Sequence, residues 1–273
     1  MKKILVAIDF SPAASNAYEY AVWLSLALEA ELHLIYVNPA VQASPTLPQK
    51  ALRELVARDN LEYEQRLRRL ATAYPDRVPE QWSELRLKSL RVRNGRAVPA
   101  LVKEARELSA DLLVVGVRSK HYLQDYLFGS VSTKLIEQTP CPLLMIPEGY
   151  AFRPVRNIAF AVDITAEAQP MKLILEDFAD SLGAEIRPFF VNMLPEEQDK
   201  LKVERIKARH MDLDMVRDFS VSRGIDYYLE SASAQMLAMY LPERAFPEKL
   251  LHGKLAKREA WKSPLPFMVF GER

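Results

Sequence analysis

The feature that most constrains this chain is an internal repeat. The segment KKILVAIDFS (residues 2–11) matches RNIAFAVDIT (residues 156–165), with Asp9 over Asp163. EAELHLIYVN (29–38) matches GAEIRPFFVN (183–192) at the same offset of 154. Further along, GSVSTKLIEQTPCPLLMIP (129–147) lies over GKLAKREAWKSPLPFMVFG (253–271) at an offset of 124, and both keep a P-x-P before the last apolar run. Two similar halves in 273 residues predict two domains of one fold, which agrees with the usual domain size of roughly 150 residues. The drop in offset means that about 30 residues are missing from the middle of the second copy. The expected domains are 1–148 and 155–273, joined by a short Gly- and Pro-containing linker.

In the first copy, short apolar runs at residues 4–8, 32–37, 112–115 and 143–146 read as buried strands, and the alternation of 85–92 reads as another. Ser11-Pro12 is a helix start, because serine accepts a free N–H and proline suits the first turn. Apolar residues then recur at helical spacing over 13–28. A polar, Pro-containing loop (39–49) leads to a charged amphipathic helix, 50–72, with Leu52, Leu55, Leu61, Leu67 and Leu70 among its apolar positions. Helices follow at 98–108 and 131–138. Apolar strands alternating with helices predict an α/β fold whose parallel sheet is covered on both faces. In the second copy, 225–230 and 236–241 are only five residues apart. A parallel crossover needs a dozen or more, so one of the two is helical, hairpin-like or lost, and this domain is a reduced copy. Residues 196–219 read as a helix rich in charge (Lys200, Lys202, Glu204, Arg205, Lys207, Arg209), either a solvated face or a partner surface.

Composition excludes several classes. Residues 1–150 hold 19 Lys and Arg against 17 Asp and Glu, and the remainder 18 against 19. Neither half carries the basic footprint of nonspecific nucleic-acid binding. The single cysteine, Cys141, excludes an intrachain disulfide, suits a reducing cytoplasm, and reads as a buried thiol before Pro142. Asp9 interrupts the first apolar run too early for a signal peptide, and no run reaches the ~18 residues of a membrane helix. The 8 glycines are too dispersed for a GxGxxG or GxxxxGK[ST] loop. His33, His121, His210 and His252 are scattered without metal-ligand spacing, and no Ser-His-Asp or Cys-His set assembles locally.

KILVAIDFSP, ADLLVVGVRS and GSVSTKLIEQTPCPLLMIP resemble the universal stress protein family, here as a tandem two-domain member. ATP-binding members share a signature of Gly, two residues, Gly, nine residues, Gly, then Ser or Thr. Gly116, Ser119, Gly129 and Ser130 stand at those positions, so this chain departs from the pattern at Ser119, where a Cβ replaces the second glycine. The resemblance implies a five-stranded parallel sheet in the order 3-2-1-4-5 with helices on both faces. It also implies that Ala7, Ile8 and Asp9 line the adenine and ribose region, that Val37 offers backbone groups to the base, and that Gly116, Val117 and Arg118 cover ribose and phosphates. In single-domain relatives the last strand makes a homodimer contact; here the resemblance implies that the two domains pair through 143–146 and 267–270, and it suggests a homodimer.

Ligands of an open α/β sheet sit where strand order reverses, which is between strands 1 and 4 in that order. Asp9, Val37 and Gly116 all border that crevice. Gly129, Ser130, Val131 and Ser132 open a helix whose free N–H groups favour an anion, while Arg118 and Lys120 add positive charge. Plainer roles stand beside these: Asp9 as a cap of the next helix, Gly116 as a turn residue, Gly129-Ser130 as an ordinary helix start, His121 in solvent. In the second copy Tyr240 stands over Gly116, Glu243 over Ser119 and Lys254 over Ser130, which predicts a different ligand or none. Three functions follow: a cytoplasmic stress-response protein binding ATP, with or without Mg, in its first domain; an interaction scaffold of this fold that has lost the nucleotide; or an enzyme of the adenine-nucleotide α-hydrolase-like group. Asp9-Phe10-Ser11-Pro12 supplies neither the SGGxDS-type loop nor the HIGH-type motif that the enzymes need. The expected protein is not an enzyme beyond slow ATP hydrolysis.

Overall fold

In the strands over residues 3–8, 31–38, 112–117 and 143–147 most residues are buried, and this dictates how the strands are covered. The computed structural model describes residues 1–39, 48–72, 85–118, 130–162, 169–192, 213–219, 221–240 and 265–270. The chain divides into two units, Met1–Arg118 with Gly129–Phe152, and Ser119–Phe128 with Arg153–Arg273.

The first unit runs β1 (Lys3–Ile8), α1 (Pro12–Ala27), β2 (Glu31–Asn38), α2 (Gln49–Thr72), β3 (Arg86–Asn94), α3 (Ala97–Leu108), β4 (Leu112–Val117), α4 (Ser130–Gln138) and β5 (Leu143–Pro147). Its strands are parallel in the order β3-β2-β1-β4-β5, the order that the family resemblance implies. Consecutive residues such as Ile4, Leu5 and Val6, or Leu112, Leu113 and Val114, are all buried. Consecutive side chains point to opposite faces, so both faces are covered and helices lie on each. The edge strand β3 instead mixes exposed and half-buried residues, none of them fully buried.

α1 starts as its sequence demands. Ser11, in an extended conformation, accepts the Ala14 N–H at 3.2 Å, and Pro12 opens the helix. Ala13, Ala14, Ala17 and Ala21 are buried, which lets this helix lie close on the sheet. α2 is more loosely seated, with only Leu67 and Ala71 fully buried among its 24 residues. The Tyr18 hydroxyl on α1 donates to Ala71 O of α2 at 3.2 Å, and burial pushes its pKa up to about 12. Residues after β5 are anchored to α1: Asn16 Nδ2 donates to Pro147 O and Tyr150 O, and Phe152 stacks on Trp23 with centroids 5.9 Å apart. Cys141 is buried, 3.7 Å from Thr139 Oγ1.

The second unit runs β6 (Asn157–Ala161), α5 (Gln169–Leu182), β7 (Glu185–Asn192), β8 (Asp214–Arg217), α6 (Val221–Ser231), β9 (Met236–Tyr240) and β10 (Phe267–Phe270). Its strands are parallel in the order β8-β7-β6-β9-β10, the same 3-2-1-4-5 arrangement. The repeat reaches individual hydrogen bonds. The Lys2 and Lys3 N–H groups donate to Asp111 Oδ2 at 2.8 and 2.9 Å, and the Arg156 and Asn157 N–H groups donate to Gln235 Oε1 at 2.9 and 2.8 Å. Gln235 stands 124 residues after Asp111, so the later offset holds at this clamp.

Of the alternatives left for 225–230 and 236–241, the helical one is realised: 225–230 belongs to α6, and Met236–Tyr240 is the fourth strand. One expectation is corrected. The charged helix read over 196–219 does not extend to its end, because Asp214–Arg217 is the third strand, paired with Phe189–Asn192 of β7. A four-residue edge strand has too little apolar periodicity to announce itself beside a charged run; its partner strand decides it. Residues 196–212 lie outside the described residues. The reduction of the second copy falls largely in one connection: residues 39–85 join β2 to β3, whereas only 193–213 join β7 to β8.

Candidate functional site

At the C-terminal edge of the first sheet, β1 and β4 part. Their last pair is Ala7 with Val115. Yet β1 stays paired with β2 through Ile8 and Tyr36, and β4 with β5 through Val117 and Pro147. The opening is therefore confined to the point where strand order reverses, where ligands of such sheets bind. Ile8, Asp9, Gly116, Val117 and Arg118 lie beyond the parting. Val37 extends one residue past the last β1–β2 pair while still pairing with Arg93 of β3.

The expected site residues differ in exposure. Ala7, Val37 and Gly116 are half-buried, Ile8 and Val117 are buried, and Asp9 and Arg118 are exposed. Ser130 is the first residue of α4, Val131 is exposed, and Ser132 is buried. Ser119 and Gly129 lie outside the described residues, as do Lys120, His121, Asp163, Glu243, Gly253 and Lys254. The described part of the site thus combines an exposed carboxylate, an exposed guanidinium and the beginning of a helix on one edge of the sheet.

Asp9 and Gly116 each also have a local structural role. The cap of α1 is Ser11, while Asp9 Oδ1 accepts the Ser11 N–H at 2.9 Å and closes the turn before the helix. Gly116 has a packing reason: a Cβ there would stand 2.2 Å from Ala13 O, 2.3 Å from Ala13 C and 2.6 Å from Ala14 N. The first turn of α1 lies against the backbone of β4, and only glycine leaves room for it. In the second unit Tyr240 takes this position, and a tyrosine Cβ excludes so close an approach.

An aromatic cluster beside Asp9 escapes the sequence motifs. Phe10 adopts φ +60°, a left-handed conformation that costs a non-glycine residue roughly 1–2 kcal/mol. Its ring lies 5.0 Å from that of Tyr36 on β2 and 6.1 Å from that of Tyr63 on α2; Tyr36 and Tyr63 are 4.2 Å apart. The Arg66 guanidinium sits 4.1 Å from the Phe10 centroid and 5.6 Å from that of Tyr63. Burial, followed by hydrogen bonding and charge interaction with Tyr63, drives the Tyr36 phenol well above its ordinary pKa, while Arg66 opposes the shift. Asn38 Nδ2 donates to Asn60 Oδ1 at 3.1 Å and adds a second tie between β2 and α2. The only local signal is the i, i+3 spacing of Tyr63 and Arg66; Phe10 and Tyr36 are brought to them by the sheet.

Among the described residues, no group of three or more His, Cys, Asp or Glu is arranged to hold a metal ion. No helix among them is long and apolar enough to cross a membrane. His33 is buried, with Nδ1 2.8 Å from Ser89 Oγ; burial lowers its pKa and Glu31 acts against that shift.

The model of the universal stress protein family matches residues 1–147, and the chain belongs to that family. The universal stress protein MJ0531 of Methanocaldococcus jannaschii is 26% identical over 150 residues, covering 53% of this chain and 81% of that protein. YxiE of Bacillus subtilis, also a universal stress protein, is 28% identical over 152 residues, covering 53% of this chain and 97% of its own. Among solved structures, a universal stress protein from Archaeoglobus fulgidus superimposes with a TM-score of 0.63 over 98% of both chains at 16% identity. At that identity the likeness speaks for the fold, which it carries across both halves of the chain.

Proposed function

We propose that the first domain, residues 1–148, binds an adenine nucleotide, ATP with or without Mg, and that the protein is a nucleotide-responsive member of its family. The observation that carries this reading is the parting of β1 and β4 after Ala7 and Val115, with Asp9, Val117 and Arg118 at its rim. The start of α4 at Ser130 supports it, because free N–H groups and the helix dipole favour a phosphate. Asp9 would meet the ribose, Val37 the base, and Arg118 the phosphates, with Ser119, Gly129, Ser130, Val131 and Ser132 around them. The nucleotide acts as an effector, not as the substrate of a fast reaction. Residues 155–273 form a second domain of the same fold in which Tyr240 replaces Gly116, and it serves a purpose other than ATP binding.

The test is nucleotide release from freshly purified, denatured protein, with thermal unfolding in the presence and absence of Mg·ATP. Ligand at about 100 times Kd adds about 2.7 kcal/mol, which raises Tm by roughly 5–10 °C for a domain of this size. The rise should vanish when Gly129→Val is combined with Ser130→Leu. A protein that releases no nucleotide and whose Tm does not move excludes the reading. That outcome would favour a scaffold without nucleotide, a second reading that draws on two observations: Ser119 stands where the signature has glycine, and Gly116 already has a packing reason to be glycine.

A further inference from the structure

Phe10 is the residue between Asp9 and the helix cap, and its left-handed backbone is unusual for an aromatic side chain. Such a conformation persists where the surroundings over-determine it, and it concentrates at functional sites. The surroundings here come from two other elements: Tyr36 at the end of β2, and Tyr63 with Arg66 on α2. The hydrogen bond from the Ser11 N–H to Asp9 Oδ1 spans Phe10. The orientation of the Asp9 carboxylate and the backbone of Phe10 are therefore one mechanical unit, because rotating the Phe10 backbone breaks that bond. Whatever holds the Phe10 ring also holds the carboxylate.

The same contacts run in the other direction. α2 has two fully buried residues in its 24, so its seat on the sheet depends heavily on few attachments. Beside its packing against β3 and β2, these include Tyr18 with Ala71, Asn38 with Asn60, and the aromatic cluster. Of these, the cluster is the one that touches the residue next to Asp9.

We infer that Phe10 is a positioning residue for Asp9, clasped by Tyr36, Tyr63 and Arg66, and that this clasp couples ligand at the β1–β4 opening to the seating of α2. The inference rests on the nucleotide reading above. It predicts that Mg·ATP bound through Asp9 tightens the clasp and protects α2, while loosening the clasp weakens binding without removing any group that touches the ligand.

The experiment is calorimetric titration of Mg·ATP into the full chain, with hydrogen exchange over residues 49–72 with and without ligand. Phe10→Ala should weaken binding by about tenfold or more through lost preorganisation, and should abolish the ligand-induced protection of 49–72. Phe10→Tyr keeps the ring and should bind within about twofold of the wild type. A merely structural role would lower the stability of Phe10→Ala but leave the affinity of the folded variant and the ligand-induced protection of 49–72 unchanged. Phe10→Ala that is folded by circular dichroism and binds like the wild type overturns the clasp. If Phe10→Ala does not fold, Arg66→Met decides: wild-type affinity together with undiminished protection overturns the clasp, and weaker binding with reduced protection supports it. A wild-type chain that takes up no Mg·ATP overturns the nucleotide reading itself, which separates that failure from failure of the clasp alone.

Discussion

Gly116→Ala separates packing from ligand binding at a position where the family signature invites only the second. The new Cβ would lie 2.2 Å from Ala13 O, a separation that must open to at least 3.0 Å. Its neighbours are backbone atoms of the first turn of α1, so no side chain can rotate away. The first turn of α1 or the end of β4 must move, and both are built into the sheet and its helix layer. The glycine lies outside the left-handed region, so the cost is steric and not torsional. Overpacking of a close-packed site costs about 1–3 kcal/mol, and rigid neighbours push this case to the upper end. Alanine also narrows the unfolded ensemble, which returns about 0.4–1 kcal/mol. The net expectation is a loss of about 2 kcal/mol. In equilibrium urea unfolding, the midpoint of the first unit should fall by about 1 M at an ordinary slope. The corresponding drop in Tm is roughly 4–8 °C. A variant within about 0.5 kcal/mol of the wild type, the range of inert surface changes, refutes the packing argument. If that variant also lost Mg·ATP binding, glycine would be required there by the ligand.

Three further outcomes are expected. Ser11→Ala removes the acceptor for the Ala14 N–H and should cost about 1 kcal/mol, read as a lower urea midpoint of the first unit. Burial holds the folded-state pKa of His33 below the 6.5 of the unfolded chain. The unfolded chain therefore takes up a proton that the folded one refuses, and first-unit stability falls as pH drops below 6.5; His33→Gln should flatten that slope in unfolding titrations from pH 7 to 5. In the second unit burial, reinforced by Glu230, raises Asp226 from 3.8 to about 8. The folded state keeps a proton that the unfolded state gives up, so stability declines as pH rises from about 4 to 8. Asp226→Asn should remove this decline, and an unchanged slope would show that other groups cause it.

Much of the fold is legible along the chain because the interactions that set it are local or repeated. Continuous apolar runs such as Ile4 to Ile8 mean strands buried on both faces, and Ser11-Pro12 means a helix start, whatever lies around them. The two offsets, 154 and 124, locate equivalent strands in both copies, down to Asp111 and Gln235 in the same role. The edge strand Asp214–Arg217 was hidden because its identity lies in its partner and not in its four residues. The candidate site divides in the same way. Asp9 and Gly116 stand out at the ends of apolar runs, but the reason for glycine at 116 appears only when α1 lies across β4.

The repeat and the parallel α/β architecture thus follow from periodicity and from residues close in sequence, while the resemblance supplies the strand order from which the candidate edge for a ligand is read. Tertiary structure alone decided which residues surround Asp9. Phe10, Tyr36, Tyr63 and Arg66 are spread over more than fifty positions, and none belongs to a motif. They meet because parallel pairing sets β2 beside β1 and α2 packs against β2 and β3, so their contacts are a property of topology and not of local sequence.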